Sequence, residues 1–228
     1  MANRHILAID NSMDFLNIAL AGPGGLIDER RIKEARSPSQ ILPGNIRDIL
    51  SANGLSLDDI TELRVTLGPG SFTGIRVGIS FCKGIRAASN IPVRGIPTLD
   101  ALAFPLMDRD GSYLCPLIDA KKSEVFLALY RAADGKLLRQ APYMAVKPDQ
   151  LPSIVKPPCI CFGTGLRIAE GHLAGLDGVT IIRGTYDHIR PATLVDERIE
   201  AILGEALPLN PIYGRRSEAE IKFNVTVD

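Results

Sequence analysis

Gly68-Pro69-Gly70-Ser71-Phe72-Thr73-Gly74-Ile75-Arg76-Val77-Gly78-Ile79 is where a two-residue hydrophobic alternation gives way to a helical one. Upstream, Leu63-Arg64-Val65-Thr66-Leu67 alternates as a strand does. Gly68-Pro69-Gly70 is turn chemistry, because glycine takes positive φ without a steric penalty. Ser71 stands where its hydroxyl can accept a first-turn N–H, and Ile75, Ile79, Cys82 and Ile85 follow at spacings of three and four on one side. The stretch therefore predicts a strand, a tight turn and a long helix.

A glycine inside a helix costs about 1 kcal/mol against alanine, so Gly74 and Gly78, one turn apart, need a compensating contact. With Cys82 they form a stripe of small residues on which another backbone can lie closely. Two occupants satisfy that geometry: the protein's own sheet or a second subunit. Phosphate is the other ligand that glycines ahead of a helix bring to mind. A GxxxxGK[ST] loop needs a lysine, and none fits before Lys83; the GxGxxG fingerprint fails because Thr73 stands at its last glycine.

Outward from this block the chain reads as two related halves. Ile6 to Asp10 is a strand, Asn11 to Asp14 a polar turn, and Phe15 to Ala21 and Leu26 to Ile32 complete an antiparallel meander. A helix with apolar face Leu42, Ile46, Ile49 and Leu50 ends at Asn53-Gly54. Beyond a proline-containing join around Phe104 to Gly111, Tyr113 to Asp119 repeats the opening strand, down to its Ile-Asp ending, and Val125 to Tyr130 returns. The expected division is residues 1–108 and 109–228. Cys159 to Phe162 and Val179 to Ile182 read as further strands, Ile168 to Leu173 and Thr193 to Leu203 as helices, and Pro208 to Asp228 as an irregular tail.

Composition narrows the chemistry. The 228 residues are 46% hydrophobic, enough for a substantial core, and carry 26 basic against 26 acidic side chains. A formal charge of zero supplies no overall attraction for autonomous nucleic-acid binding, so any RNA contact is expected to be local or shared. Met1-Ala2-Asn3-Arg4-His5 leads straight into the first strand, too short and too soon charged for a signal peptide or membrane span; a cytoplasmic protein is expected. Cys82, Cys115, Cys159 and Cys161 lie in apolar runs and read as buried, reduced thiols. His5, His172 and His188 fall at no metal-ligand spacing, and Gly70-Ser71-Phe72-Thr73-Gly74 misplaces its serine for a nucleophile elbow. Asp10 and Asp119 end equivalent strands, where a carboxylate either accepts turn hydrogen bonds or faces magnesium and phosphate in a cleft between halves. Arg215, Arg216 and Lys222 form a small basic group in the tail.

Ile-Leu-Ala-Ile-Asp at 6–10, the glycine block at 68–78, Ile-Asp-Ala-Lys at 118–121 and Pro-Ile-Tyr at 211–213 together resemble the TsaB (YeaZ) family of tRNA threonylcarbamoyladenosine biosynthesis proteins. The resemblance implies an α/β chain with the duplicated actin/hexokinase/Hsp70-like (ASKHA) fold, two lobes each with a mixed sheet flanked by helices. It implies a non-catalytic scaffold that supports a TsaD-like paralogue, which transfers the threonylcarbamoyl group to adenosine of tRNAs decoding ANN codons, together with a TsaE-like P-loop ATPase. Alone, such a chain would form a homodimer; the resemblance further implies no metal and no intrinsic cofactor, room for ATP or ADP at the subunit junction, and contact with tRNA only through the complex. The partner surface it implies comprises Leu42, Ile46, Ile49, Gly74, Ile75, Gly78 and Cys82, and the nucleotide contacts are expected at Asp10, Asn11, Ser12 and Asp119. The competing readings are a peptidase and an independent ATP-dependent phosphotransferase.

Overall fold

The computed structural model describes residues 4–33, 37–199 and 207–214. Strand β1 (Ile6–Asp10) is buried along its whole length. It pairs antiparallel with β2 (Leu16–Gly22), which pairs with β3 (Gly25–Ile32). Helix α1 (Pro38–Ala52) follows, and then β4 (Glu62–Gly68) returns parallel to β1 with Ile9 opposite Val65. Helix α2 (Phe72–Ser89) carries the chain to β5 (Val93–Pro97), completing a sheet of order β3-β2-β1-β4-β5. A short helix α3 (Thr98–Ala103), continued by a 3-10 turn at Phe104–Leu106, leads into the second half.

That half repeats the plan. Strand β6 (Tyr113–Lys121) turns into β7 (Glu124–Leu127), and β11 (Cys159–Phe162) and β12 (Val179–Ile182) lie parallel to it, just as β4 and β5 lie to β1. One departure separates the copies. The single return strand expected over Val125 to Tyr130 breaks at Ala128 and Leu129, both buried, so that β7 pairs with β10 (Met144–Val146) while β8 (Tyr130–Ala133) pairs with β9 (Lys136–Arg139). A four-residue helix α4 (Leu151–Ile154) precedes β11, and α5 (Leu166–Leu173) occupies the place that α2 holds in the first half. The architecture is the duplicated, two-lobed α/β fold of the ASKHA type.

The pleat of the first sheet sorts its side chains between two cores. Leu7, Ile9, Leu63 and Val65 face α1 and α2. Ile6, Ala8, Ala19 and Ile96 face the other way and join Leu114, Ile118, Phe126 and Phe162 of the second sheet in one continuous apolar cluster between the halves. The polar end of that face is an ion network. Arg64 is fully buried; its Nε donates to Glu62 Oε1 at 2.7 Å and its Nη1 to the carbonyl of Leu194 at 3.1 Å, while Arg4 Nη2 donates to Glu62 Oε2 at 2.7 Å. These bonds fasten β4 to the chain before β1 and to a segment that returns from the second sheet.

Three expectations change. Leu42, Ile46, Ile49, Ile75 and Cys82 are buried in the chain's own α1–α2–sheet core, each at most 4% exposed. The same holds for the glycine stripe: a Cβ at Gly74 would lie 1.8 Å from the Asn11 carbonyl oxygen, and one at Gly78 would lie 3.3 Å from Val65 Cγ2. The chain's own hairpin loop and sheet are what approach α2. Thr193 begins no long helix, since Pro191–Val195 is a short 3-10 turn and Asp196 leaves it in extended conformation; the rest of the expected 193–203 helix reaches residues outside those described. Of the expected tail, 207–214 is irregular and Arg215, Arg216 and Lys222 lie outside the described residues. The four cysteines are buried and unbridged, as their apolar contexts suggest, and burial pushes the Cys82 thiol up to about 12.

Candidate functional site: the cleft between the halves

The glycine block builds one side of the cleft by gripping the loop after β1. Ser71 caps α2, its Oγ accepting from the Gly74 N–H at 3.2 Å, and its own N–H donates to the Ser12 carbonyl at 2.7 Å. Gly70 has φ +155 and a Cβ there would meet the Ser12 oxygen at 2.0 Å, which only glycine avoids. Asn11 closes the junction by donating Nδ2 to the Gly74 carbonyl at 3.2 Å.

Asp10 sits beneath this loop with no exposed surface, and four donors converge on its carboxylate. Oδ1 accepts from the Ser12 N–H at 2.9 Å, Ser12 Oγ at 2.5 Å and Thr66 Oγ1 at 2.8 Å; Oδ2 accepts from Asn17 Nδ2 at 2.8 Å. The group acts as an internal fastener of β1, β2 and β4. Asn11 is likewise consumed within the protein. Neither lines the cleft, whereas Ser12 and Asp119 do.

The cleft encloses about 1090 Å³. On the first half its wall is the Ser12-Met13-Asp14 loop and Gly70-Ser71-Phe72. On the second it is the end of β6 with Asp119 and Lys121, the Gly163-Thr164 turn after β11, and Arg167 and Glu170 on α5; Arg183 and Asp187 complete the rim. Asp119 accepts from the Lys121 backbone N–H at 2.8 Å, and its Oδ2 receives both Lys121 Nζ at 3.4 Å and Arg167 Nη2. Burial opposes ionisation of Asp119, but the Lys121 N–H and ammonium and the Arg167 guanidinium outweigh it and hold the carboxyl below the usual aspartate range. Arg183 makes a two-pronged pair with Glu170.

Sequence reasoning missed the third wall. Leu209 is buried in the α1–α2 core, the Ile212 N–H donates to the Leu67 carbonyl at 2.7 Å, and this strap delivers Tyr213 to the mouth of the cleft. Tyr213 stacks on Phe72 with centroids 5.0 Å apart and planes 27° from parallel. Arg76 lies 3.9 Å above the Phe72 ring and donates Nε to the Tyr213 hydroxyl at 2.9 Å. The signal lay in the quoted motifs, as a Phe inside the glycine block and a Tyr inside Pro-Ile-Tyr, but only the fold reveals that they meet.

The residues present do not fit a magnesium-bound nucleotide in this cleft. Among the described residues that line it, the three cations, Lys121, Arg167 and Arg183, already face Asp119 and Glu170, and Asp14 and Asp187 leave carboxylates in the majority. The strand-end carboxylate best placed to draw a cation, Asp10, is saturated by protein donors.

Comparison with known proteins agrees with this architecture. Residues 26–159 match the family model described as TsaD, tRNA N6-adenosine threonylcarbamoyltransferase. The tRNA threonylcarbamoyladenosine biosynthesis protein TsaB of Escherichia coli is 35% identical over 127 residues, which make up 55% of this chain and 54% of that protein. The Bacillus subtilis TsaB is 27% identical over 223 residues, covering 96% of this chain and 97% of the relative. A crystal structure of a Pseudomonas aeruginosa protein described as similar to peptidase YEAZ superposes with a TM-score of 0.76 at 23% identity, over 93% of this chain and 100% of that one. With the duplicated sheets, the glycine block and these matches in place, the chain belongs to the TsaD-related family, in its TsaB (YeaZ) group.

Proposed function

We propose that this chain is a non-catalytic scaffold in tRNA threonylcarbamoyladenosine formation, holding a TsaD-like paralogue that performs the transfer to adenosine of ANN-decoding tRNAs, with a TsaE-like ATPase joining the pair. The observation that carries this reading is the saturated Asp10 carboxylate: the residue at the strand end where phosphotransfer would need a free acid has been turned into a structural hydrogen-bond acceptor. The names and matches of its relatives supply the pathway.

Because Gly74 and Gly78 are covered by the chain itself, the docking face moves to the outward side of the same helix. There Arg76, Ser80 and Lys83 are exposed, and Val77 and Phe81 are half-buried. Ser80→Trp puts a large ring on that face without entering the core. It is expected to weaken association with the TsaD-like partner at least tenfold, about 1.4 kcal/mol, in sedimentation velocity while the thermal midpoint of the isolated chain stays unchanged. Undiminished association would move the partner to another surface.

A further inference from the structure

We infer that the cleft between the halves is a binding site for an uncharged, flat heteroaromatic molecule carrying hydroxyl groups, with the unphosphorylated nucleosides as its chemical class. Volume admits such a ligand: about 1090 Å³ lies just above the roughly 300–1,000 Å³ typical of small-molecule pockets. The Phe72–Tyr213 pair, stiffened by Arg76, offers an aromatic platform at the mouth, and Phe126 and Ile118 extend the apolar lining inward. Phe72 is 46% exposed, a large apolar surface left open at the edge of the cavity.

Electrostatics decides against a charged ligand. Among the described residues that line the cleft, carboxylates outnumber cations, and a phosphate would have to draw each of those cations from a pair, Arg167 and Lys121 from Asp119 and Arg183 from Glu170, while Arg76 at the mouth is turned to the Phe72 ring and the Tyr213 hydroxyl. Ionised carboxylates only accept hydrogen bonds, which suits them to sugar hydroxyls and not to phosphate oxygens. Asp187 stands on the same rim for that purpose. This inference is independent of the scaffold role, since it concerns the isolated chain and needs no partner.

The test is calorimetric titration of the full chain at pH 8 with adenosine, uridine, AMP and magnesium–ATP as probes. Adenosine or uridine is expected to bind with a Kd of about 0.01–1 mM, and AMP and ATP at least tenfold more weakly. Phe72→Ala, an exposed position that leaves the core intact, is expected to weaken the nucleoside at least fivefold; Asp187→Asn is expected to narrow the gap between AMP and adenosine. The inference is overturned if neither nucleoside binds by about 1 mM, if AMP or ATP binds as tightly as the nucleoside, or if Phe72→Ala leaves the affinity unchanged.

Discussion

Gly74→Ala is expected to lower stability by about 3 kcal/mol, against the usual sign for a glycine-to-alanine change within a helix. Propensity alone favours alanine by about 1 kcal/mol. The new methyl, however, would sit 1.8 Å from the Asn11 carbonyl oxygen, and that atom belongs to backbone held on both sides by the Asp10 hydrogen bonds. Overpacking against a fixed partner typically costs about 1–3 kcal/mol, and here the Asn11 to Gly74 hydrogen bond is lost with it. Gly78→Ala is the control. Among the described residues its only close neighbour is Val65 Cγ2 at 3.3 Å, a side-chain methyl that yields by a few tenths of an ångström, so propensity gain and contact strain nearly cancel. Thermal denaturation should separate the two: a fall of about 6–12 °C for Gly74→Ala and a shift within about 3 °C for Gly78→Ala. Equal effects would mean that the glycines serve helix curvature or an external contact and not the hairpin loop.

Removing Glu62 is expected to cost about 3–5 kcal/mol, because Arg64 has no exposed side-chain surface and would lose the carboxylate 2.7 Å from its Nε. Burial alone would raise the Glu62 pKa, but its hydrogen bonds with Arg4 and Arg64 and their charges outweigh this and lower it. The direction fixes the pH dependence. A folded-state pKa below the unfolded value of about 4.3 means that the network contributes fully above that value and fades as pH falls through the folded pKa. Chemical denaturation of the wild-type chain from pH 6 down to about pH 3 should therefore show a loss that Glu62→Gln lacks. A wild-type and a variant that decline in parallel would place the acid sensitivity elsewhere.

Much of this fold is written locally. The β1–β2–β3 meander, the Gly68–Gly70 turn, the Ser71 cap and the repeated Ile-Asp strand endings each depend on neighbours a few residues away, and periodicity and turn chemistry expose them. What lies at long range is not exposed. The spacing of Gly74 and Gly78 announces a close approach, but that the approaching atom is the Asn11 carbonyl depends on a loop 63 residues earlier in the chain. Asp10 shows the same limit: its position at a strand end suits either a ligand or a fastener, and only the arrival of Thr66 and Asn17 decides between them. The Tyr213–Phe72 stack and the Arg167–Asp119 pair join segments that no sequence pattern links. The expected helix from Thr193 fails because Pro191–Val195 is claimed by packing against β1, β2 and β3 instead of propagating its turn.

No helix among the described residues is long and apolar enough to cross a membrane. The central claim, that the chain supports a reaction it does not itself perform, is tested most directly by reconstitution. The purified chain is mixed with its TsaD-like and TsaE-like counterparts, tRNA, ATP and a donor of the threonylcarbamoyl group, and modified adenosine is measured by mass spectrometry with each protein omitted in turn. The account predicts that omitting this chain abolishes modification and that adding back Asp10→Asn, provided it is folded, restores it. Undiminished modification without the chain, or a folded Asp10→Asn protein that binds its partner normally yet restores nothing, would contradict it.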